Sequence, residues 1–213
     1  RFPSYTWYDP YACEIASNTS CASLGDGVAF TAKNYWSRHM QWYTEAEDDF
    51  VDPQMFVAFY TELNQNTRWN SYITTEAQSK RYILASVLVG GNGYAALRTG
   101  NGFPVWCDEC GVNGSGSSSR TLAATGWLGC PTDVGRSLST GEAVREIIAR
   151  DWSELANHVI CREFSNGKVC INPDTVAKTV NIGTGWKRIL GTEDTLHNNG
   201  QAVSGNISIP AMG

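Results

Sequence analysis

Apolar residues recur at helical spacing in three stretches of the chain. The first opens at Asp52-Pro53, where Asp suits the cap and Pro the first helical position, and runs to about Asn64 with Met55, Phe59 and Leu63 as its buried stripe. The second opens on a Thr75-x-x-Gln78 capping box, carries Ile83, Leu84, Val87 and Leu88, and stops at Gly90-Gly91. The third and longest opens on Ser139-x-x-Glu142 and repeats Val144, Ile148, Leu155 and Val159 along one face.

Between and around these helices the pattern changes. Residues 1–50 alternate aromatic with turn-forming and polar residues, which predicts an aromatic, loop-rich region. Glycine and serine dominate from Asn92 to Ser139, with a Gly/Ser-rich loop over 111–138. Ser165-Asn-Gly-Lys168 predicts a β-hairpin; with Asn-Gly as its loop, Cys161 and Cys170 fall two positions out of opposition. A short helix is expected from Asn172-Pro173 to before Gly183, and Val203, Ile207 and Ile209 alternate as in a strand. There is no internal repeat and no alternating pattern of parallel crossovers. The sum is an α+β fold, helix-dominated and disulfide-braced, with a β-hairpin and short strands, forming a single globular extracellular domain over residues 1–213.

Composition narrows the class. The chain of 213 residues is 42% hydrophobic and 17% charged, enough to bury a core and too apolar for disorder. Its net charge is −5 and no basic run interrupts it, which argues against a nucleic-acid partner. The longest apolar stretch, Tyr82 to Val89, contains Ser86 and is too short for a membrane span. No charged segment followed by an apolar core stands at the start, so the numbering reads as that of a mature chain.

Seven cysteines in three local groups point to an oxidising compartment. Cys13 with Cys21 and Cys161 with Cys170 are the expected disulfides. Cys107, Cys110 and Cys130 then supply one bridge and one odd thiol. The acidic spacer of Cys107-Asp-Glu-Cys110 disfavours a redox thiolate, and the ligand spacing for zinc is missing, so no metal or cofactor is expected. Asn18-Thr-Ser, Asn113-Gly-Ser and Asn206-Ile-Ser are acceptor triplets for glycosylation.

Candidate chemistry rests on carboxylates and aromatic rings. On the first predicted helix Glu62 shares the side of Met55, Ala58 and Phe59, where desolvation would raise its pKa, as a general acid requires; a structural bond to Arg68 is the competing role. Asp151 lies four residues from both Ile147 and Leu155 and so faces the core side of the long helix, on one strip with Glu154 and His158. That strip either borders a cleft or fixes helix packing. Glu45, Glu47, Asp48, Asp49 and Asp52 precede the first predicted helix, whose positive N-terminal end they suit; Asp49 is the member taken as a second catalytic carboxylate. Eight tryptophans and nine tyrosines exceed what a core of this size needs, and Trp36, Trp42, Tyr43 and Trp69 are candidate sugar-stacking rings or subunit contacts.

Val51-Asp-Pro-Gln-Met-Phe-Val-Ala-Phe-Tyr-Thr-Glu62-Leu-Asn-Gln-Asn resembles the catalytic helix of lysozyme-like lytic transglycosylases, in which an Asp-Pro start leads to the acid glutamate. The resemblance implies Glu62 as general acid/base; the Ser and the Gly-Leu-Met-Gln-type segment that follow in that family have no counterpart here. Serine-hydrolase elbows, zincin motifs, P-loops and dinucleotide fingerprints are all missing. The expectation is a secreted carbohydrate-active protein acting on a glycan or polysaccharide, a glycoside hydrolase with Glu62 as proton donor and Asp151 or Asp49 as base. The alternatives are a non-enzymatic extracellular subunit that self-associates through its aromatic loops, and a lectin-like module.

Overall fold

A computed structural model describes residues 31–49, 57–59, 72–91, 95–97, 128–191 and 194–213. Helix α1, Ala32–Asp49, occupies much of the stretch expected to be loops. Thr31 caps it, its Oγ1 accepting from the Asn34 amide at 3.3 Å. Ala32, Trp36, Met40 and Tyr43 fall on one face and are buried. Polar Ser37, Thr44 and Glu47 share that buried face, which hid the helical period from a count of apolar residues. Two of these hydroxyls are matched at once: Ser37 Oγ accepts from the Ala156 amide at 3.0 Å, and Thr44 Oγ1 donates to Met40 O at 3.0 Å.

The helix expected over 52–64 is interrupted, because Val57–Phe59 is extended and forms strand β1. A Val-Ala-Phe run suits a strand as well as a helix, and so short a stretch cannot be told apart by period. β1 pairs in parallel with β2, Ala95–Leu97, and helix α2, Glu76–Gly90, lies between them in sequence. One parallel crossover is therefore present among the described residues.

α2 has its expected limits. Thr75 caps it, accepting from the Gln78 amide at 3.1 Å, while the Gln78 carbonyl reaches back to the Thr74 amide rather than to that of Thr75. Its buried side chains include Ser79, Tyr82, Ile83, Ala85, Ser86 and Val89, with Leu84, Val87 and Leu88 half-buried. Trp36 Nε1 donates to Ser86 Oγ at 2.8 Å and joins α1 to α2. Gly91 ends the helix at φ −90°, without a left-handed turn. It is glycine for closeness: a Cβ there would lie 2.0 Å from the Tyr43 hydroxyl.

Strand β3, Arg136–Ser137, leads into helix α3, Val144–Asp151. The Ser139–Glu142 box is not used; Glu146 accepts the Ala143 amide at 2.7 Å, and α3 starts later than expected. The long helix is also divided. Asp151 accepts from the Ser153 amide at 2.9 Å and from its hydroxyl at 2.7 Å, capping a separate 3₁₀ helix, Trp152–Asn157.

Strands β4, Ile160–Phe164, and β5, Gly167–Ile171, form the expected hairpin, with Cys161 directly opposite Cys170 and the two disulfide-bonded. The loop is Ser165–Asn166, one residue earlier than expected, which brings the cysteines into register. The cause lies outside the hairpin: Ser165 N donates to Cys130 O at 2.9 Å and Asn166 N to Leu128 O at 3.1 Å, so a neighbouring segment fixes the turn.

The helix expected after Asn172-Pro173 is replaced by a turn and strand β6, Lys178–Asn181. Asn172 is fully buried; its amide nitrogen donates to Val176 O and Pro210 O, each at 2.8 Å, and its oxygen accepts from the Asp174 amide at 3.2 Å. Those bonds compete with helix initiation. The tail supplies β8, Ala202–Val203, and β9, Asn206–Ile209; β9 pairs with β6 and β8 with β7, Trp186–Lys187, both antiparallel. The architecture is mixed α+β. Its main core joins α1, α2, α3, the 3₁₀ helix and the β4–β5 hairpin to Met212.

Candidate functional site

Three polar groups stand against this core, and the first is the outer face of α1. Arg38, Gln41, Trp42 and Glu45 follow one another at i, i+3, i+4 and i+7, so they share that face. Arg38 Nη1 donates to Gln41 Oε1 at 2.7 Å, and Gln41 Nε2 donates to Glu45 Oε1 at 2.7 Å. Trp42 lies beside this row with 39% of its surface exposed. The Arg38 guanidinium sits 4.5 Å from the Trp152 ring and 5.8 Å from that of Trp42, and His39 meets Trp42 edge-on at 5.5 Å. His39 Nδ1 lies 3.2 Å from Tyr35 O, and burial holds its pKa below the ordinary value. A flat apolar ring is thus fixed beside an amide, a guanidinium and a carboxylate, a combination that suits a sugar ring.

The second group closes the same helix. Glu47 is buried and pairs with Arg145 Nη2 at 3.0 Å, while Nη1 of the same residue donates to Thr44 O at 3.2 Å and pairs with Asp48. These carboxylates lie at the C-terminal end of α1, where the helix dipole opposes them, and not at the helix N-terminus expected for them; Arg145 supplies the compensating charge. Burial first, then the Glu47 carboxylate, hold the Tyr43 phenol in its neutral form. Arg162, also buried, donates to Asp133 O at 2.8 Å and Leu88 O at 3.0 Å and reaches Gly91 O as well, tying the end of α2 to β4.

The third group surrounds His158. Its Nδ1 lies 2.9 Å from the buried Ser137 hydroxyl and 3.4 Å from that of exposed Ser139. Burial lowers the His158 pKa, opposed by the nearby Glu142. Arg150 bridges Glu142 and Glu154, so Glu154 pairs along the helix surface. Ser137 Oγ also accepts from the Thr140 amide at 3.2 Å, and the histidine thereby pins a turn.

The residues expected from sequence are distributed unevenly over these groups. Trp42 is on the surface, whereas Trp36 and Tyr43 are core residues, so two of the rings expected to stack sugars are covered. Asp49 is the last residue of α1. Asp151 is exposed and caps the 3₁₀ helix, which corrects its expected core-facing placement: the helix breaks there and turns the carboxylate to its own Ser153. Glu62, Trp69, Cys13, Cys21, Asn18 and Asn113 lie outside the described residues. Asn206 is exposed at the start of β9, with Ser208 exposed two residues on, and Cys130 is an exposed free thiol.

Arg38, Gln41 and Arg145 were not singled out in the sequence. The first two were within reach, since their spacing to Trp42 and Glu45 is helical; Arg145 meets Glu47 only through the tertiary fold. Among the described residues no group of three or more His, Cys, Asp or Glu side chains could hold a metal ion, and no helix is long and apolar enough to cross a membrane. Compared with known protein families, with curated proteins and with solved structures, the chain matches none.

Proposed function

We propose that the chain is a secreted carbohydrate-active protein that holds a glycan against the Trp42 face of α1. The observation that carries this reading is the half-exposed indole beside the Arg38–Gln41–Glu45 row. The indole offers a stacking surface for axial C–H groups, and the row offers donors and acceptors for hydroxyls. The disulfide between Cys161 and Cys170 is compatible with an oxidising compartment. If the bound glycan is also cleaved, Glu62 is the proton donor of the proposal, with Asp49 or Asp151 as its partner carboxylate.

The test is calorimetric titration with a panel of oligosaccharides. Trp42→Ala is expected to weaken binding by about tenfold, equivalent to about 1.4 kcal/mol, and Trp42→Phe by less. Glu62→Gln separates an enzyme from a lectin: hydrolysis disappears with binding kept in the first case, and in the second there is no hydrolysis to lose. Absence of binding by the unsubstituted protein, or binding indifferent to Trp42→Ala, overturns the proposal.

A second reading, a self-associating extracellular subunit, is favoured by Leu190 and Leu196, which are 81% and 76% exposed near the β7–β8 hairpin. Exposed apolar side chains mark a contact surface where they form one contiguous patch. Light scattering decides it: assembly that Leu190→Ser abolishes supports an assembly subunit, and a monomer at high concentration removes that reading.

A further inference from the structure

In the β6–β9 sheet side chains alternate between two faces, as strand geometry requires. Val180, Ile207 and Ile209 turn inward and pack with Val159 and the Cys161–Cys170 disulfide. Thr179, Asn181, Asn206 and Ser208 turn outward and are exposed. The register sets Thr179 opposite Ser208 and Asn181 opposite Asn206, so these four make an uncharged patch of hydroxyls and carboxamides.

Asn206 and Ser208 belong to the triplet Asn206-Ile-Ser, which among the three acceptor triplets of the chain is the one within the described residues. Two observations make it more than a sequence match. First, both side chains are unengaged: among the described residues neither the Asn206 carboxamide nor the Ser208 hydroxyl has a hydrogen-bond partner. Other exposed asparagines are held, Asn157 Oδ1 accepting from Lys33 Nζ at 2.7 Å and Asn181 Oδ1 from the Gly183 amide at 2.9 Å. Second, the approach is open. Gly205, at φ +68°, turns the chain just before Asn206, and a Cβ placed on it would meet nothing within 4 Å. A bulky branched sugar chain therefore has room to leave the sheet without displacing the core behind it.

We propose that Asn206 is the attachment site of an N-linked glycan, with Ser208 as the hydroxyl by which the glycosyltransferase recognises it. In the transfer a bond forms between Asn206 Nδ2 and the anomeric carbon of a lipid pyrophosphate-linked oligosaccharide. The bond from that carbon to the pyrophosphate oxygen breaks, the lipid pyrophosphate leaves, and Nδ2 loses one proton. The carboxamide oxygen is kept and Asn206 stays uncharged. The glycan covers Thr179 and Asn181 and keeps the outer face of the sheet in water. The site uses no residue of the Trp42 face, and it rests on the functional reading only in requiring a secreted chain.

The experiment is peptide mapping of the full chain secreted from cultured eukaryotic cells behind a cleavable export signal. Peptide N-glycosidase in heavy-oxygen water converts each glycosylated Asn to a labelled Asp, which mass spectrometry locates. The Cys161–Cys170 disulfide is read on the same sample. Label at Asn206 in most of the secreted molecules is expected, with near-complete loss in Ser208→Ala and retention in Ser208→Thr. Residue 208 is exposed, so neither substitution disturbs the core. A chain secreted with the disulfide formed and Asn206 unlabelled overturns the proposal and leaves the Trp42 reading standing. A chain retained in the cell with Cys161 and Cys170 reduced overturns the secreted reading and this proposal with it. Label at Asn206 that survives Ser208→Ala has another origin and overturns the proposal as well.

Discussion

Replacing Arg145 by alanine removes a cation that serves three acceptors at the end of α1: Glu47, Thr44 O and Asp48. The two halves of its main pair are not equivalent, because the Glu47 side chain is 1% exposed and that of Arg145 is 33% exposed. Truncating Arg145 takes the paired cation from a buried carboxylate, which keeps the Tyr43 hydroxyl and the charge of Arg162 nearby, whereas neutralising Glu47 leaves a cation able to turn to water and to Asp48. Breaking a buried pair so that one charge is left uncompensated costs about 3–5 kcal/mol; with Arg145 near the surface, and Tyr43 and Arg162 still beside Glu47, the cost falls to about 2 kcal/mol. Glu47→Gln keeps a polar group of the same shape and is expected to cost about 1 kcal/mol. The double substitution is expected to be less destabilised than Arg145→Ala alone, because no buried charge then lacks its paired cation. Urea unfolding followed by tryptophan fluorescence and far-ultraviolet circular dichroism measures all three, coincident transitions confirming two-state behaviour. Equal costs for the two single substitutions, or a double variant that loses their sum, would refute the reasoning.

Three further outcomes are expected. His39 and His158 are both held below the ordinary histidine pKa by burial, so the unfolded chain binds more protons near pH 6.5. Stability is therefore greatest above that pH and falls as the solution is acidified through it; His158→Gln flattens the dependence in unfolding curves at pH 7 and pH 5. Cys161 and Cys170 are nine residues apart, and replacing both by alanine is expected to cost about 2 kcal/mol, less than the loop-closure value because the hairpin register already draws them together. Asn172→Leu removes the donor from the buried Ile209 carbonyl and from the part-buried Val176 and Pro210 carbonyls and is expected to cost about 2 kcal/mol in the same urea experiment.

Elements were legible in sequence where their ends carry local chemistry. Thr75, Gln78 and the Gly90-Gly91 pair delimit α2, and each acts within a few residues of its own position. The β4–β5 hairpin was legible for the same reason, but its register was not: Asn-Gly marks a turn, and the exact loop was set by carbonyls of Leu128 and Cys130, some thirty-five residues earlier. α1 escaped notice because its buried stripe mixes Trp36, Met40 and Tyr43 with Ser37, Thr44 and Glu47, whose partners lie on other elements. Asn172-Pro173 read as a helix start because the burial that redirects the Asn amide is tertiary.

The candidate site divides in the same way. Trp42 could be named from composition, and its row of polar neighbours follows from helical spacing once α1 is known. The Glu47–Arg145 pair spans 98 residues and no local pattern encodes it. Asp151 shows the opposite failure. Its spacing to Ile147 and Leu155 placed it inward only if one helix continued through it, and its own carboxylate, by capping a new 3₁₀ helix, is what ends the first.

Met212 is fully buried in the same core as Ala32, and Gly213 exchanges two backbone hydrogen bonds with Asn172. The order of assembly is thereby constrained. The β4–β5 hairpin forms from neighbours in the chain, but the main core lacks one of its fully buried side chains until residue 212 has been synthesised. Long-range closure of this kind slows folding and leaves the core position of Met212 open in the interval, even though Trp36, Met40 and Tyr43 can already pack on residues 86–91 at the end of α2.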